Sequence, residues 1–161
     1  MKHTRGFTLI ELLIIIAIIA ILAAVAFVSL DPLTRFRDSR DAARWSDISA
    51  VLTAAKVDQV DNEGSYLSAI DSMTTSTNYM IGTAGSGCDA TPCDVTISGS
   101  NCVDLSGLVT EGYLASVPIS PNGSGSWDAT LTGYYMVKST TGALTVGACE
   151  SENTSSISIQ R

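Results

Sequence analysis

The sequence is poor in histidine and in basic charge, and it lacks the usual catalytic motifs. Its single histidine, His3, lies before Gly6, so the rest of the chain has no imidazole for acid–base or metal chemistry. It contains no phosphate-binding loop, nucleophile elbow or zinc-protease helix motif. Sixteen Asp and Glu residues outnumber nine Lys and Arg residues, which gives a formal net charge of −7. Such an acidic surface disfavours binding to nucleic acid. We therefore predict a chain that is not an enzyme and does not bind nucleic acid.

Charge is also missing from a long stretch near the N-terminus. Residues Phe7 to Leu30 form an apolar run in which Glu11 is the only charged residue. As a helix the run would be roughly 36 Å long, which is enough to cross a bilayer core of about 30 Å. A secretory signal places its small cleavage-site residues after the apolar stretch, whereas Gly6 precedes it here. Composition alone leaves an uncleaved membrane anchor open. A carboxylate in hydrocarbon costs roughly 3 kcal/mol or more, so Glu11 should have a partner.

The cysteines lack the paired CxxC spacing of zinc sites and all follow the apolar run. Lys2 and Arg5 precede the run, and the positive-inside rule keeps them cytoplasmic. The cysteines then face the oxidising side of the membrane, which favours disulfides over zinc. Four cysteines allow three pairings. We favour one bond that closes the CDATPC loop and a second that ties the middle of the domain to its end: Cys88–Cys93 and Cys102–Cys149.

The segment GFTLIEL at Gly6–Leu12 resembles the processing motif of type IV pilins and type II secretion pseudopilins. The resemblance extends over the leader and the whole apolar run. It implies that a membrane prepilin peptidase removes the leader, residues 1–6, and that the same enzyme N-methylates the new terminal amine of Phe7. It also implies that Phe7, Thr8 and Glu11 act in assembly, with Glu11 neutralising the amine of a neighbouring subunit in the filament core.

The implied role of Glu11 agrees with the cost of burying charge. Helices that pack in a filament exclude water, and a lone carboxylate there is strongly disfavoured. A neighbour's Phe7 ammonium removes this cost only in one axial register, so the pair sets the register more than it adds net stability. The alternative is a Glu11 side chain that reaches the headgroups and has no partner.

The apolar run at residues 7–30 is predicted to be one helix. After it, the spacing of apolar residues predicts an amphipathic helix over residues 31–62. Pro32 should bend or end the first helix, and Gly64 suits a left-handed cap after the second. Apolar residues three and four apart predict the buried stripe of this helix: Trp45, Ile48, Val51, Leu52 and Ala55. The resemblance and this pattern together predict a pilin-like α+β fold, in which a long N-terminal helix packs on a small sheet stapled by disulfides.

Another face of the amphipathic helix alternates in charge. Its charged residues lie three or four apart and suit exposed ion pairs worth about 0.2–0.5 kcal/mol each: Arg37, Asp41, Arg44 and Asp47. We interpret this as a solvated face that supports the helix, with neighbouring subunits as further partners of some of these charges. Glu150 and Glu152 lie in the polar C-terminal tail, where we also expect solvated side chains.

The last region, residues 63–161, is expected to be loop-rich and to carry an antiparallel sheet of three or four strands. Thr141-Gly142 suits a hairpin, and the alternating Ile157 and Ile159 of the tail suit an edge strand. The other β-prone segments are 79–81, 95–97, 131–139 and 143–148. The sheet should pack its apolar face on the buried stripe of the helix.

The segment at Leu108–Pro121 resembles a second pseudopilin element, in which oxygens of the following loop can hold calcium. Ser120 stands here where that pattern has an aspartate. Calcium takes about six to eight oxygen ligands, whereas this loop offers Asn122 and Asp128, with Asp104 as a third candidate. We therefore expect no metal or other cofactor, and calcium is the alternative to a plain Asn-Gly turn.

The resemblance implies a structural subunit of an extracellular type IV pilus. Before assembly the subunit would be a single-pass inner-membrane protein with a cytoplasmic N-terminus and an outer C-terminal domain. The implied partners are other copies of itself, related pilins, the prepilin peptidase and methyltransferase, and an assembly machinery with a cytoplasmic ATPase. Two alternatives remain: a pseudopilin of type II secretion, and a membrane-anchored binding domain that never assembles.

Overall fold

The computed structural model describes residues 6–84, 87–88, 93–97 and 102–161. The chain divides into two compact units, Met1–Phe36 and Arg37–Arg161. The helices are α1 (Leu9–Leu30), α2 (Pro32–Asp61), α3 (Ser68–Asp71) and α4 (Ser106–Thr110). The strands are β1 (Tyr79–Ile81), β2 (Cys102–Val103), β3 (Tyr134–Lys138), β4 (Leu144–Ala148) and β5 (Ser158–Gln160).

The predicted break between the first two helices is confirmed. Asp31 adopts a left-handed conformation, with φ 36° and ψ 70°, and ends α1. Pro32 is the first residue of α2, where a missing N–H costs no helical hydrogen bond. The side chain of Thr34 then donates to Asp31 Oδ2 at 2.6 Å. Asp31 therefore ends α1, and its side chain accepts a hydrogen bond from the first turn of α2.

The end of α2 also follows the sequence. Gly64 has φ 99°, and its N–H donates to the carbonyl of Gln59 at 2.8 Å. Only glycine adopts this conformation without steric cost, so Gly64 is the residue that allows the chain to leave the helix here. The predicted left-handed cap is confirmed.

The buried stripe of α2 differs from the prediction at one position. Ile48, Val51, Leu52 and Ala55 are at most 1% exposed and lie in the main core, but Trp45 is 38% exposed. Side chains four apart share a helix face, so Arg44 lies on the same face as Ile48, and Arg44 is itself fully buried. The buried face is thus rotated away from Trp45.

The predicted α+β architecture is confirmed, but the sheet is larger than predicted and is mixed. Its order is β2-β1-β3-β4-β5, with β1 and β2 parallel and the other pairs antiparallel. The β3–β4 hairpin and the tail strand β5 were both expected. Strand β2 was missed because two residues are too short to show a period. The 95–97 segment is not a strand, although Ile97 is buried.

Both faces of the sheet are covered. On one face, alternate residues of β3 and β4 meet α2 in the main core, among them Tyr134, Met136 and Val146. On the other face, Tyr135 packs with Trp127 and the cysteines in a second cluster. Because the side chains of a strand alternate between the faces, one short hairpin contributes to both cores.

The predicted disulfide pairing is wrong. The structure joins Cys88 to Cys102 and Cys93 to Cys149. Cys102 enters the sheet as part of β2, and Cys149 directly follows β4, where its carbonyl accepts the Asp94 N–H at 2.8 Å. Tertiary contacts therefore decide the partners, and sequence proximity does not. Residues 89–92, in the loop that the predicted Cys88–Cys93 bond was to close, lie outside the described residues.

Candidate functional site

The predicted cleavage point lies in a non-helical stretch just before α1. Gly6 is exposed and Phe7 is 78% exposed. A Cβ placed on Gly6 would meet nothing within 4 Å. The peptide bond between these residues is therefore open to an enzyme that acts at the N-terminal end of the helix. Residues 1–5 of the predicted leader lie outside the described residues.

Glu11 and Thr8 form a capping box at the start of α1. The backbone N–H and the hydroxyl of Thr8 donate to Glu11 Oε2 at 2.9 and 2.8 Å. The Glu11 N–H donates in turn to Thr8 Oγ1 at 3.3 Å. In this uncut chain the carboxylate thus has a partner one turn away. The Thr-x-x-Glu spacing is a known sequence signature of this cap and would have predicted it.

Helix α1 leaves its apolar surface uncovered. None of its residues is buried. It is long and apolar enough to cross a membrane, a test that an N-terminal signal sequence would also pass. A fully apolar helix is unfavourable in water, so lipid or other protein must cover it in the cell.

The N-terminal segment was compared with known protein families. Residues 1–27 match the family model described as the prokaryotic N-terminal methylation motif. The chain carries the prepilin-processing motif. Comparison of the chain with curated proteins and with solved structures found no match. The motif supports a type IV pilin or a pseudopilin, and the α+β fold of the chain fits a type IV pilin-like fold.

A second cluster of functional-type residues lies in the unit Arg37–Arg161, where Arg44 is fully buried. Its guanidinium contacts three carboxylates: Asp41 at 2.8 Å, Glu152 at 2.9 Å and Glu150 at 3.1 Å. All three carboxylates are themselves largely buried. Arginine suits this position because its planar fork holds several acceptors at once. We call these four residues the Arg44 cluster.

The Arg44 cluster ties three separate parts of the chain together. Arg44 also donates to the Ser120 hydroxyl at 3.1 Å and to the Pro121 carbonyl at 2.9 Å. Asp41 accepts backbone N–H groups from residues 152–154. Arg40 adds a two-point pair with Glu152 at the edge of the cluster. The C-terminal tail is therefore fastened to α2 by charge-assisted hydrogen bonds.

This arrangement overturns the prediction of a solvated charged face. Asp41 and Arg44 do pair, but inside the protein, and Glu150 is 5% exposed. Asp47 was expected to pair with Arg44 and instead accepts the hydroxyl of Tyr134 at 2.6 Å. Burial, followed by this bond, raises the pKa of that hydroxyl well above its ordinary value. Neither hydrophobic period nor spacing predicts the contacts of Asp47 with Tyr134 and of Arg44 with Glu150, because these partners lie more than seventy residues apart along the chain.

Two carboxylates of the cluster are biased toward the charged form. The hydrogen bonds from Arg40, aided by those from Arg44, lower the pKa of Glu152 to about 2. Burial raises the pKa of Asp41, but hydrogen bonds from the Asn153 and Glu152 backbone and from Arg44 outweigh it, so its pKa lies below the ordinary value. The cluster therefore depends on ionised carboxylates.

We expect acid to weaken this unit. A carboxylate with a lowered folded-state pKa contributes stability above its unfolded pKa, and this contribution is lost as pH falls toward the folded pKa. For Glu152 the loss should occur between about pH 4.5 and pH 2. The free energy of unfolding, from urea titrations of the full chain in detergent, should fall over this range. Glu152→Gln should flatten this pH dependence, and Glu111→Gln, at an exposed carboxylate, should leave it unchanged. An equal slope in wild type and Glu152→Gln would contradict the assignment.

The three residues considered for calcium serve local turns. Asp128 Oδ1 accepts the backbone and hydroxyl groups of Thr130 at 2.7 and 2.5 Å. Asn122 Oδ1 accepts the Trp127 N–H at 2.8 Å, and Asp104 Oδ1 accepts a backbone N–H at 2.8 Å. Within the described part of the chain no group of three or more His, Cys, Asp or Glu residues is arranged to hold a metal ion.

Proposed function

We propose that this chain is a pilin, the structural subunit of an extracellular type IV pilus. The observation that carries the proposal is the match of residues 1–27 to the N-terminal methylation motif, together with the open Gly6–Phe7 bond. Prepilin peptidase cuts this bond and methylates the Phe7 amine. The parts of the mature subunit are then the apolar helix over 7–30, the amphipathic helix over 31–62 and the cysteine-bearing domain over 63–161.

The subunit begins as a single-pass protein of the inner membrane. Lys2 and Arg5 keep the N-terminus cytoplasmic, so the unit Arg37–Arg161 lies outside. Two disulfides in that unit are consistent with an oxidising compartment. Helix α1, which has no buried residue, is covered by lipid at this stage.

Assembly exchanges the partner of Glu11. In the uncut chain its carboxylate is held by Thr8, which limits the cost of placing a charge near the start of an apolar helix. In the filament, the methylated Phe7 ammonium of a neighbour neutralises it. The Phe7 ammonium comes from another copy of the chain. The Glu11 carboxylate and this ammonium can therefore neutralise each other only when the two subunits are in the correct axial register.

The partners follow from this sequence of events. They are the prepilin peptidase and methyltransferase, other copies of the chain with related pilins, and an assembly machinery powered by a cytoplasmic ATPase. The second candidate is a pseudopilin of a type II secretion system, because the same motif supports both classes. A pseudopilin would form a short periplasmic filament that pushes folded cargo, whereas a pilin would form long surface filaments.

Intact-mass and peptide mass spectrometry of the protein from its native host test the proposal. We expect a chain that starts at Phe7 with one methyl group on its amine, recovered from filaments sheared off the cell surface. A chain that starts at Met1 with an unmethylated Phe7 would contradict the pilin function and favour a membrane-anchored binding domain. Processed protein that is recovered only from the periplasm, with cargo left unsecreted in a deletion strain, would favour the pseudopilin.

A further inference from the structure

A polar pocket of about 480 Å³ lies between the start of α2 and the loop at residues 122–124, within the unit Arg37–Arg161. The residues that line it are polar or glycine: Arg37, Arg40, Asn122, Gly123, Ser124 and Glu152. A Cβ on Gly123 would come within 3.2 Å of three side chains of the Arg44 cluster, so the pocket adjoins that cluster. We call it the arginine pocket. Its volume is typical of a site for a small ligand.

The carboxylate and amide oxygens of the arginine pocket are already used. Glu152 Oε1 accepts hydrogen bonds from Arg40 and Arg44, and Glu152 Oε2 accepts a second one from Arg40. Asn122 Oδ1 accepts the Trp127 N–H at 2.8 Å. A ligand that donates hydrogen bonds would therefore have to displace contacts that the folded chain already makes.

Three donor groups of the same pocket have no partner in the chain. The guanidinium of Arg37 makes no hydrogen bond or ion pair within the described ranges. Arg40 donates through Nε and Nη2 to Glu152, and its Nη1 has no partner among the described residues. The amide nitrogen of Asn122 is likewise without a partner in the part of the chain that the structure describes. The free hydrogen-bonding capacity of these side chains is thus donor capacity.

The free donors select the chemistry of a ligand. Because two of them belong to arginines, the pocket fits a group that carries negative charge and accepts several hydrogen bonds. A phosphate does both, and the planar guanidinium fork matches its oxygens. Sugars and amines bring donors of their own, and amines are positively charged, so both fit the pocket less well.

The carboxylates near the pocket do not occupy these donors. The three carboxylates of the Arg44 cluster are held by its arginine, and Asp38 Oδ1 accepts the Asn153 side-chain amide at 2.8 Å. Positive and negative side chains nearly balance in this region. Direct hydrogen bonds, more than a long-range field, must therefore hold an anion here.

Chain connectivity keeps the pocket close to the membrane surface in the proposed topology. Arg37 is the sixth residue of α2, and only Asp31 separates α2 from the end of α1 at Leu30. The Cα atoms of Leu30 and Arg37 are therefore no more than roughly 16 Å apart. The polar layer outside the hydrocarbon core is about 5–8 Å thick on each side, and an arginine side chain can extend into it. A bilayer supplies phosphate groups there at high local concentration, which favours lipid over a free anion.

We propose that the arginine pocket binds the phosphodiester group of a membrane lipid before the subunit is assembled. Arg37, Nη1 of Arg40 and the Asn122 amide donate to its oxygens. The inference rests on the membrane stage of the proposed function. It adds a lipid contact in the unit Arg37–Arg161, separate from the apolar contact of α1 with lipid, and this contact must break when the subunit leaves the bilayer for a filament.

Native mass spectrometry of the delipidated full chain in detergent tests the inference. The probes are phosphatidylglycerol and diacylglycerol, which lacks the phosphate. We expect the chain to retain phosphatidylglycerol and to lose diacylglycerol. Arg37→Gln should weaken phosphatidylglycerol binding about tenfold, because it removes a charge-assisted hydrogen bond, and Arg37→Lys should recover part of the loss. Arg35→Gln is the matched control, since this exposed arginine of the same helix does not line the pocket, and it should have less than about a twofold effect.

Each other outcome overturns a stated part of the inference. Equal losses for Arg37→Gln and Arg35→Gln would show that surface charge alone attracts the lipid, and unchanged binding by Arg37→Gln would remove the pocket from the contact. Displacement of phosphatidylglycerol by millimolar inorganic phosphate would assign the pocket to a free anion and overturn the lipid assignment. Flotation with vesicles of phosphatidylglycerol and phosphatidylcholine separates the two proposals. A wild-type chain that does not insert would overturn the membrane stage of the proposed function together with the inference, whereas insertion without retained phosphatidylglycerol would overturn the inference alone.

Discussion

Arg44→Leu should lower the free energy of unfolding of the Arg37–Arg161 unit by about 3–5 kcal/mol. The substitution leaves Asp41, Glu150 and Glu152 close together, with their shared cation gone. Like charges at that distance repel, and the carboxylates cannot regain full hydration without releasing the C-terminal tail. The measurement is a urea titration of the full chain in detergent, followed by tryptophan fluorescence.

Two further substitutions give this experiment its specificity. Arg37→Leu removes an arginine from the same helix that has no ion pair with any residue in the described ranges, and it should change the unfolding free energy by less than about 0.5 kcal/mol. Arg44→Lys keeps the charge but loses the fork, so its loss should be intermediate. A change below about 1 kcal/mol for Arg44→Leu would mean that the carboxylates rehydrate easily.

The large expected effect of Arg44→Leu does not make the cluster a large net source of stability. Burying one guanidinium and three carboxylates costs desolvation energy that their attraction offsets only with good geometry. What the cluster supplies is a unique docking position for the tail, since Asp41 and Arg44 together bind both side-chain and backbone groups there. A core of apolar residues would hold the tail less specifically.

The second large effect is expected at Glu11. Glu11→Ala should leave cleavage and methylation intact but reduce the filament-incorporated fraction at least about tenfold in a strain that lacks the wild-type subunit. In the proposed filament, a neighbour's Phe7 ammonium would then be buried without a counter-charge. Quantitative immunoblots of sheared filaments against total cell protein give the measurement.

A glutamine at this position separates two roles of Glu11. Glu11→Gln can keep the capping box with Thr8, because glutamine fills the same place in this motif, but it removes the charge. We expect a defect close to that of Glu11→Ala. Wild-type filament yield from Glu11→Gln would show that the cap alone matters, and it would remove the argument for charge neutralisation.

The boundaries and caps of the helices depend on residues that are close together in the sequence. Pro32 and Gly64 set the boundaries of α2 through backbone sterics alone, and both effects were predicted. The uniform apolar run predicted a helix long enough to cross a membrane, and the structure has such a helix. The Thr8–Glu11 cap has an equally local signature in the Thr-x-x-Glu spacing. All of these features depend on residues within a few positions of one another.

The sequence by itself therefore determined the processing motif, the two long helices, the hairpin and the α+β class. Only the tertiary structure decided the disulfide partners, the parallel β1–β2 pair and the burial of Arg44. Each of these joins segments that are distant along the chain, where neither hydrophobic period nor spacing specifies the partner. From the sequence, Arg44 among charged neighbours on a helix predicts a solvated face. In the folded chain Glu150 and Glu152 contact Arg44, and its side chain is buried.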